Sequence, residues 1–173
     1  KADDVRNAAE VALSSLGASS EKAEIAFFGG SFTAIDRNYM IELLDAAYEY
    51  IRRGCFRGIR LSTRPDAIDA QTLDILKSHG VTTIELGAQS MCDSVLESNH
   101  RGHTSADVDN ASKMIKQYGF DLGLQMMTGL YTDTDEKSMY TCERIISLRP
   151  DCVRIYPTIV LKDTLLEKLY LNH

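Results

Sequence analysis

The stretch EIAFFGGSFTAID, residues 24–36, decides the fold, because the rest of the chain repeats its pattern. It opens with a short apolar run, EIAFF, which predicts a buried strand that ends at Gly29 and Gly30. Asp36 then provides an N-cap for a helix whose apolar residues recur at helical spacing for several turns. The stretch therefore predicts one strand-helix pair.

The same alternation continues along the chain. A helix over residues 1–16 precedes it, further strands are predicted at 57–62, 82–86, 120–126 and 152–156, and helices at 69–79, 91–97, 104–118, 134–148 and from about 163. Because parallel strands need helical crossovers, this order predicts an α/β fold with a parallel sheet. The sheet can be either an open doubly wound sheet or part of a barrel. Periodicity alone does not distinguish these two architectures.

The composition is typical of one globular domain over residues 1–173. Of the 173 residues 44% are hydrophobic, and 19 basic and 25 acidic residues give a net charge of -6. This acidic balance argues against non-specific nucleic-acid binding. No stretch approaches the roughly 18 apolar residues of a membrane span, so we expect a soluble, cytoplasmic protein with no membrane partner.

The four cysteines predict no metal site. Cys55, Cys92, Cys142 and Cys152 are widely separated, whereas metal and iron–sulfur sites usually use cysteines about two to four residues apart. Cys142 also falls on an apolar helical stripe with Met139 and Ile146, which indicates a small buried hydrophobe. We expect a structural or incidental role for each cysteine.

Polar residues lie at or near the end of every predicted strand. In both architectures ligands bind at the carboxyl ends of parallel strands, so these positions predict a site. They are Gly29-Gly30-Ser31, Ser62-Thr63-Arg64, Gln89-Ser90 with Arg101 beyond them, Gln125, and Tyr156-Pro157-Thr158. Five such clusters at one rim suggest a polar, zwitterionic or phosphorylated ligand.

Each cluster also has a simpler interpretation. The glycines can serve only a tight turn, Arg101 can be an ordinary solvated arginine, and Gln125 needs either an internal partner or a ligand. Five arginines between residues 52 and 64 form either a polyanion patch or a solvated helix end plus an arginine at the end of a strand. The net negative charge of the chain favours the second interpretation.

At these residues the chain resembles a known family. The blocks that carry the resemblance are EIAFFGGSFT, IRLSTRPDAID, IELGAQSMCDSVLESNHRGHT, GLQMMTGLYTDTDE and VRIYPTIVLKDTLLEKLY. They resemble, in order, the radical S-adenosylmethionine (SAM) proteins of the branch that contains the Elongator catalytic subunit. Oxygen-independent coproporphyrinogen III oxidase is a more distant relative. The resemblance covers about residues 20–172 and implies a partial, TIM-like (βα)6 barrel that binds SAM at its top.

The resemblance also implies a set of SAM contacts. The amino group would meet Gly29, Gly30 and Ser31, the methionine end Gln89 and Arg101, the ribose Ser62 and Gln125, and the adenine Met127 and Thr158. Arg101 would face the carboxylate of SAM, and no residue of this chain is expected to bind a metal.

By the same resemblance, a [4Fe-4S] cluster would cleave SAM reductively to a 5'-deoxyadenosyl radical. Its cysteines belong to a Cys-x3-Cys-x2-Cys loop after the first barrel strand. This sequence contains neither that strand nor that loop, so we expect an N-terminally incomplete fragment that is inactive as it stands.

The substrate implied by the resemblance is tRNA or a tetrapyrrole. The open side of an incomplete barrel suggests self-association. The alternative to all of this is a non-enzymatic or nucleotide-binding doubly wound module in which residues 29–33 form an anion loop.

Overall fold

Five parallel strands lie side by side in chain order. The computed structural model describes residues 1–171, and its strands are β1 (Glu24–Phe27), β2 (Gly58–Thr63), β3 (Val81–Gln89), β4 (Asp121–Thr128) and β5 (Cys152–Pro157). Each strand pairs only with its sequence neighbours, and the sheet curves into a half-barrel. The predicted α/β class and the partial barrel are confirmed.

The doubly wound alternative is wrong. It requires the strand order to reverse beside Gly30, and the observed order β1-β2-β3-β4-β5 contains no reversal. Sequential order arises when every crossover moves the chain one strand in the same direction, as it does in a barrel.

The helices follow the predicted alternation. They are α1 (Ala2–Leu16), α2 (Arg37–Arg52), α3 (Ala70–Ser78), α4 (Asp93–Ser98), α5 (Ser105–Gln117), α6 (Asp135–Ser147) and α7 (Leu165–Leu171). Asp36 caps α2 by accepting a hydrogen bond from the Tyr39 amide at 3.0 Å. Thr104 and Asp107 form the predicted capping box of α5. No helix within residues 1–171 is both long and apolar enough to cross a membrane.

The two faces of the sheet have opposite chemistry. One face packs against the helices and forms the core, with fully buried residues that include Ile59, Leu61, Ile84, Leu86 and Leu122. The residues that alternate with these core residues along the strands have charged and amide side chains, which contact one another across strands. This alternation places a polar inner face beneath the carboxyl ends of the strands.

Helix α6 packs with a different face from the one that its apolar stripe indicates. Met139 and Ile146 are 60% and 64% exposed, whereas Thr141 and Ile145 are buried, and Cys142 is only partly buried. Apolar residues occur on more than one side of this helix, so the stripe alone could not identify its inner face. The prediction that Met139 and Ile146 share a buried stripe with Cys142 is wrong.

Candidate functional site

A cleft of about 460 Å³ opens at the carboxyl ends of the strands. It is lined by seven of the nine residues that the resemblance assigns to SAM, namely Gly29, Gly30, Ser31, Ser62, Gln89, Arg101 and Gln125, together with Phe28, Thr63, Arg64, Gly87, Arg154 and Tyr156. The other two, Met127 and Thr158, lie at the end of β4 and just after β5, outside this lining. The structure thus brings together most of the predicted set.

The loop after β1 presents bare backbone to the cleft. Gly29 has a φ of 107°, which a side chain rarely permits, and a Cβ at Gly29 or Gly30 would meet no atom within 4 Å. Thr33 fixes the loop to β2, because its hydroxyl lies 2.6 Å from that of Thr63 and donates to the Ala67 carbonyl at 2.7 Å. Thr33 therefore holds the loop in place, and the two glycines leave its backbone beside the cleft free of side chains.

Gln89 enters the cleft from a strained position. The pairing of β3 with β4 shifts register between Gly87 and Gln89, and Gln89 has a φ of 65°, in the left-handed region. Its side chain is buried, and its Oε1 atom has no hydrogen-bond partner within residues 1–171. Gly87 leaves room for this amide, since a Cβ there would lie 2.7 Å from Gln89 Nε2. Strain at an unsatisfied polar group is typical of a binding site.

The loop that carries Arg101 is anchored on both sides. Asn99 donates to the Tyr131 carbonyl at 2.9 Å, and His103 Nε2 lies 3.1 Å from the Ala88 carbonyl oxygen. Arg101 itself forms no ion pair in the described chain, and its buried Nε has no acceptor there. Burial, followed by the charge of Arg64, lowers the pKa of Arg101. The site therefore holds a cation whose charge is uncompensated.

A buried ion network under the cleft was not predicted. Glu85 on β3 is completely buried, and its carboxylate contacts Arg60 at 2.7 Å and Arg154 at 2.9 Å. Gln125 donates to the same carboxylate at 2.9 Å, which is the internal partner that this amide needed. The guanidinium of Arg154 also lies 5.0 Å from the Phe28 ring centre, so it spans from β5 to the end of β1.

Four of the five arginines between residues 52 and 64 form ion pairs within the chain. Arg53 lies 3.9 Å from Glu10, Arg57 lies 2.9 Å from Glu24, Arg60 joins the buried network, and Arg64 pairs with Asp66. These pairs compensate most of the charge that a polyanion patch would need, and Arg60, unlike the solvated arginines of the simpler interpretation, is part of the buried network.

The Glu24 carboxylate is expected to make the free energy of unfolding sensitive to acid. Burial alone would raise the pKa of Glu24, but hydrogen bonds from Thr82 and two arginines outweigh it and lower the pKa to about 2. A depressed pKa stabilises the fold above the unfolded value of 4.5, and this stabilisation is lost as the pH falls from 4.5 towards 2. We expect a contribution of about 2 kcal/mol after solvent screening.

Urea unfolding between pH 2 and pH 7 measures this step. Glu24→Gln should remove most of it at neutral pH and flatten the acid limb. Glu143→Gln, at an exposed position of α6, is the control and should leave the profile unchanged. Equal curves for the two variants would contradict the role of Glu24.

The cysteines form no metal site within residues 1–171. All four are free and partly buried, and no group of three or more His, Cys, Asp or Glu residues is placed to hold a metal ion there. The described residues do not supply the three thiolates that a [4Fe-4S] cluster needs.

Comparison with known proteins identifies the family of this arrangement. The family profile described as "Radical SAM superfamily" matches residues 3–145, which is most of the chain. The chain belongs to the radical SAM superfamily. Membership implies SAM and a [4Fe-4S] cluster as the cofactors of the family, and it confirms the resemblance identified from the motif blocks.

Similar sequences include tRNA-modifying and Elongator proteins. The chain is 25% identical over 177 residues to the tRNA uridine(34) acetyltransferase of Dehalococcoides mccartyi, covering 90% of this chain and 38% of that protein. It is 31% identical over 180 residues to human Elongator complex protein 3, covering 91% of this chain and 32% of the relative. The chain thus spans about a third of the length of these relatives.

Solved radical SAM structures share the fold. The archaeal Elp3 of Methanocaldococcus infernus with an N-terminal deletion superposes with a TM-score of 0.81 at 25% identity, over 97% of this chain and 44% of that one. Coproporphyrinogen III oxidase (HemN) from Escherichia coli gives 0.69 at 21% identity, over 92% of this chain and 38% of that one. Both likenesses support a half-barrel of the radical SAM type.

Proposed function

We propose that this chain is the SAM-binding part of a radical SAM enzyme and that the cleft is its SAM site. One observation carries the proposal. Gln89 Oε1 and Arg101 Nε are buried in the same cleft, and neither has a partner within residues 1–171. A buried acceptor and a buried donor that both lack partners in one cleft are costly unless a ligand with an ammonium and a carboxylate completes them. The amino-acid end of SAM has both groups.

The remaining lining residues fit the rest of SAM. Gly29 and Gly30 line the cleft without side chains, and we assign their backbone, together with Gln89, to the amino group of SAM. Gln125 Nε2 donates to Glu85, so the amide oxygen of Gln125 is left as an acceptor for the ribose hydroxyls. Met127 and Thr158 lie outside this lining. We assign them to the adenine of a ligand that extends past it.

The reaction itself depends on a group that these residues do not hold. When a [4Fe-4S] cluster is bound, it supplies the electron for reductive cleavage of SAM. The cysteines of the described chain do not fit that cluster, so the role we assign to this chain is to bind and orient SAM. As substrate we propose tRNA before a tetrapyrrole, since the more similar relatives include a tRNA uridine(34) acetyltransferase.

A glycine at position 89 tests the SAM site. Gln89→Gly removes the amide and also relieves the positive φ, so the free energy of unfolding should stay constant or rise by about 1 kcal/mol. SAM affinity, measured by calorimetric titration, should fall by about tenfold because a hydrogen bond to a charged group is lost.

Arg149→Gly is the matched control for this variant. Arg149 also has a positive φ, of 51°, but it lies in the turn before β5 and does not line the cleft. It should show the same backbone relief with unchanged SAM affinity. Absence of saturable SAM binding by the parent chain, or equal affinity for parent and Gln89→Gly, would contradict the proposal.

A further inference from the structure

A completely buried carboxylate lies beneath the cleft. Glu85 pairs with Gly123 across β3 and β4, whereas Gln125 and Arg154, which line the cleft, pair with each other nearer the carboxyl ends of β4 and β5. A Cβ at Gly123 would lie 2.5 Å from Glu85 Cγ, so this glycine lets the Glu85 side chain lie across β4. Glu85 is not part of the cleft lining and contacts it only through Gln125 and Arg154.

Both oxygens of Glu85 are occupied. Oε1 accepts from Arg60 Nη1 at 2.7 Å and from Arg154 Nη2 at 3.1 Å. Oε2 accepts from Gln125 Nε2 at 2.9 Å and lies 2.9 Å from Arg154 Nε. Burial alone would raise the pKa of Glu85, but these partners outweigh burial and lower it. The group is therefore a carboxylate, which has no proton to donate.

The charge of Glu85 decides which end of the Gln125 amide is left for a ligand. Because a carboxylate only accepts, the amide presents Nε2 to Glu85 and directs Oε1 elsewhere. Gln125 lines the cleft, and its Oε1 accepts no hydrogen bond from another residue of the described chain. The cleft is thus left with an acceptor at Gln125, held in that orientation by a residue outside the cleft.

We propose that Glu85 is a positioning residue that makes the cleft selective for a ligand hydroxyl that donates a hydrogen bond to Gln125. Glu85 acts on the ligand only through the Gln125 amide. A substituent of similar size that cannot donate would place its lone pairs against Oε1 and bind more weakly. The proposal rests on the proposed function for the identity of the ligand, whose ribose supplies the hydroxyls.

Glu85→Gln is expected to reverse the amide of Gln125. The substituted side chain keeps the size of glutamate but has a single oxygen, and this oxygen is occupied by Arg60 and Arg154. Its amide nitrogen is left to donate to Gln125, which then accepts with Oε1 and presents Nε2 to the cleft. A hydroxyl can accept as well as donate, so it still binds. A substituent without a proton is no longer opposed.

Titration with SAM and with its 2'-fluoro and 3'-fluoro analogues measures this selectivity. The parent chain should bind the weaker of the two analogues about tenfold less tightly than SAM, because fluorine cannot donate. In Glu85→Gln this ratio should fall to about threefold or less, while SAM itself binds within about threefold of the parent. A purely structural Glu85 would weaken SAM and its analogues equally. An unchanged ratio in Glu85→Gln would therefore overturn the proposal.

Two further variants control this experiment. Gln125→Leu removes the acceptor and keeps Glu85, so the ratio should fall to about one, and adding Glu85→Gln to it should leave the ratio there. Asp109→Asn changes a carboxylate that pairs with Arg144 away from the cleft, and it should keep the parent ratio. A parent chain that binds SAM and both fluoro analogues equally would contradict the proposal.

Side-chain NMR of the ligand-free chain separates this proposal from the proposed function. The Gln125 amide signal, assigned by its loss in Gln125→Leu, should exchange with water about tenfold more slowly than that of the exposed Gln71. Glu85→Gln should abolish this protection. A protected amide in a chain that does not bind SAM would support the role of Glu85 and contradict the proposed function. An unprotected amide in a chain that binds SAM would do the reverse.

Discussion

Replacing Glu85 with alanine is expected to lower the free energy of unfolding by about 3–5 kcal/mol. Glu85 is fully buried and accepts from Arg60, Arg154 and Gln125. Burial alone would raise its pKa, but these three partners outweigh burial and lower it, so the residue is a carboxylate in the fold. Its removal takes the shared acceptor from two guanidiniums and an amide donor, of which only Arg60 keeps a second carboxylate partner, Glu24, and that cost is much larger than the loss of one contact.

Urea unfolding of Glu85→Ala and of a matched control measures this cost. Asp109→Ala breaks the ion pair with Arg144, which has the same 2.7 Å separation but side chains 28% and 33% exposed. Because this pair is only partly buried and breaks a single contact, we expect the control to lose less, about 1–2 kcal/mol. Equal losses in the two variants would mean that the Glu85 network is solvated and does not hold the inner face together.

The network explains why part of the site escaped sequence analysis. Arg60 is close in sequence to four other arginines, and local spacing therefore indicated a surface cluster. Its actual partners, Glu24 and Glu85, come from neighbouring strands and are far from it along the chain. Strand periodicity does show that Arg60 and Glu85 alternate with core residues, so inward-facing charges on a barrel strand are the signal that could have identified them.

The fold was more predictable than the site because each element leaves a local signal. Caps at Asp36 and Thr104, glycines after helices and short apolar strands were all readable in sequence. The choice between barrel and open sheet was not readable from periodicity, because it depends on strand order. Arg154 was missed as a cleft residue for the same reason: only the curvature of the sheet brings β5 towards Phe28.

Removing the Arg101 guanidinium is expected to lower SAM affinity without lowering the free energy of unfolding. Arg101→Met keeps most of the apolar length of the side chain but discards a cation that has no counter-charge in the described chain. Because its burial is uncompensated, the free energy of unfolding should stay constant or rise. SAM affinity should fall by about a hundredfold, since a bidentate contact to the SAM carboxylate contributes about 3 kcal/mol.

Calorimetric titration with SAM and urea unfolding, run on the same preparations, test this pair of effects. Arg144→Met is the matched control, because it breaks the partly buried pair with Asp109 away from the cleft and should therefore lose stability with unchanged SAM affinity. The two variants should thus change in opposite ways. An Arg101→Met protein that is less stable than its parent yet binds SAM normally would assign Arg101 to the fold. A loss of affinity without a loss of stability assigns it to the ligand, because a structural arginine cannot be removed at no cost to folding.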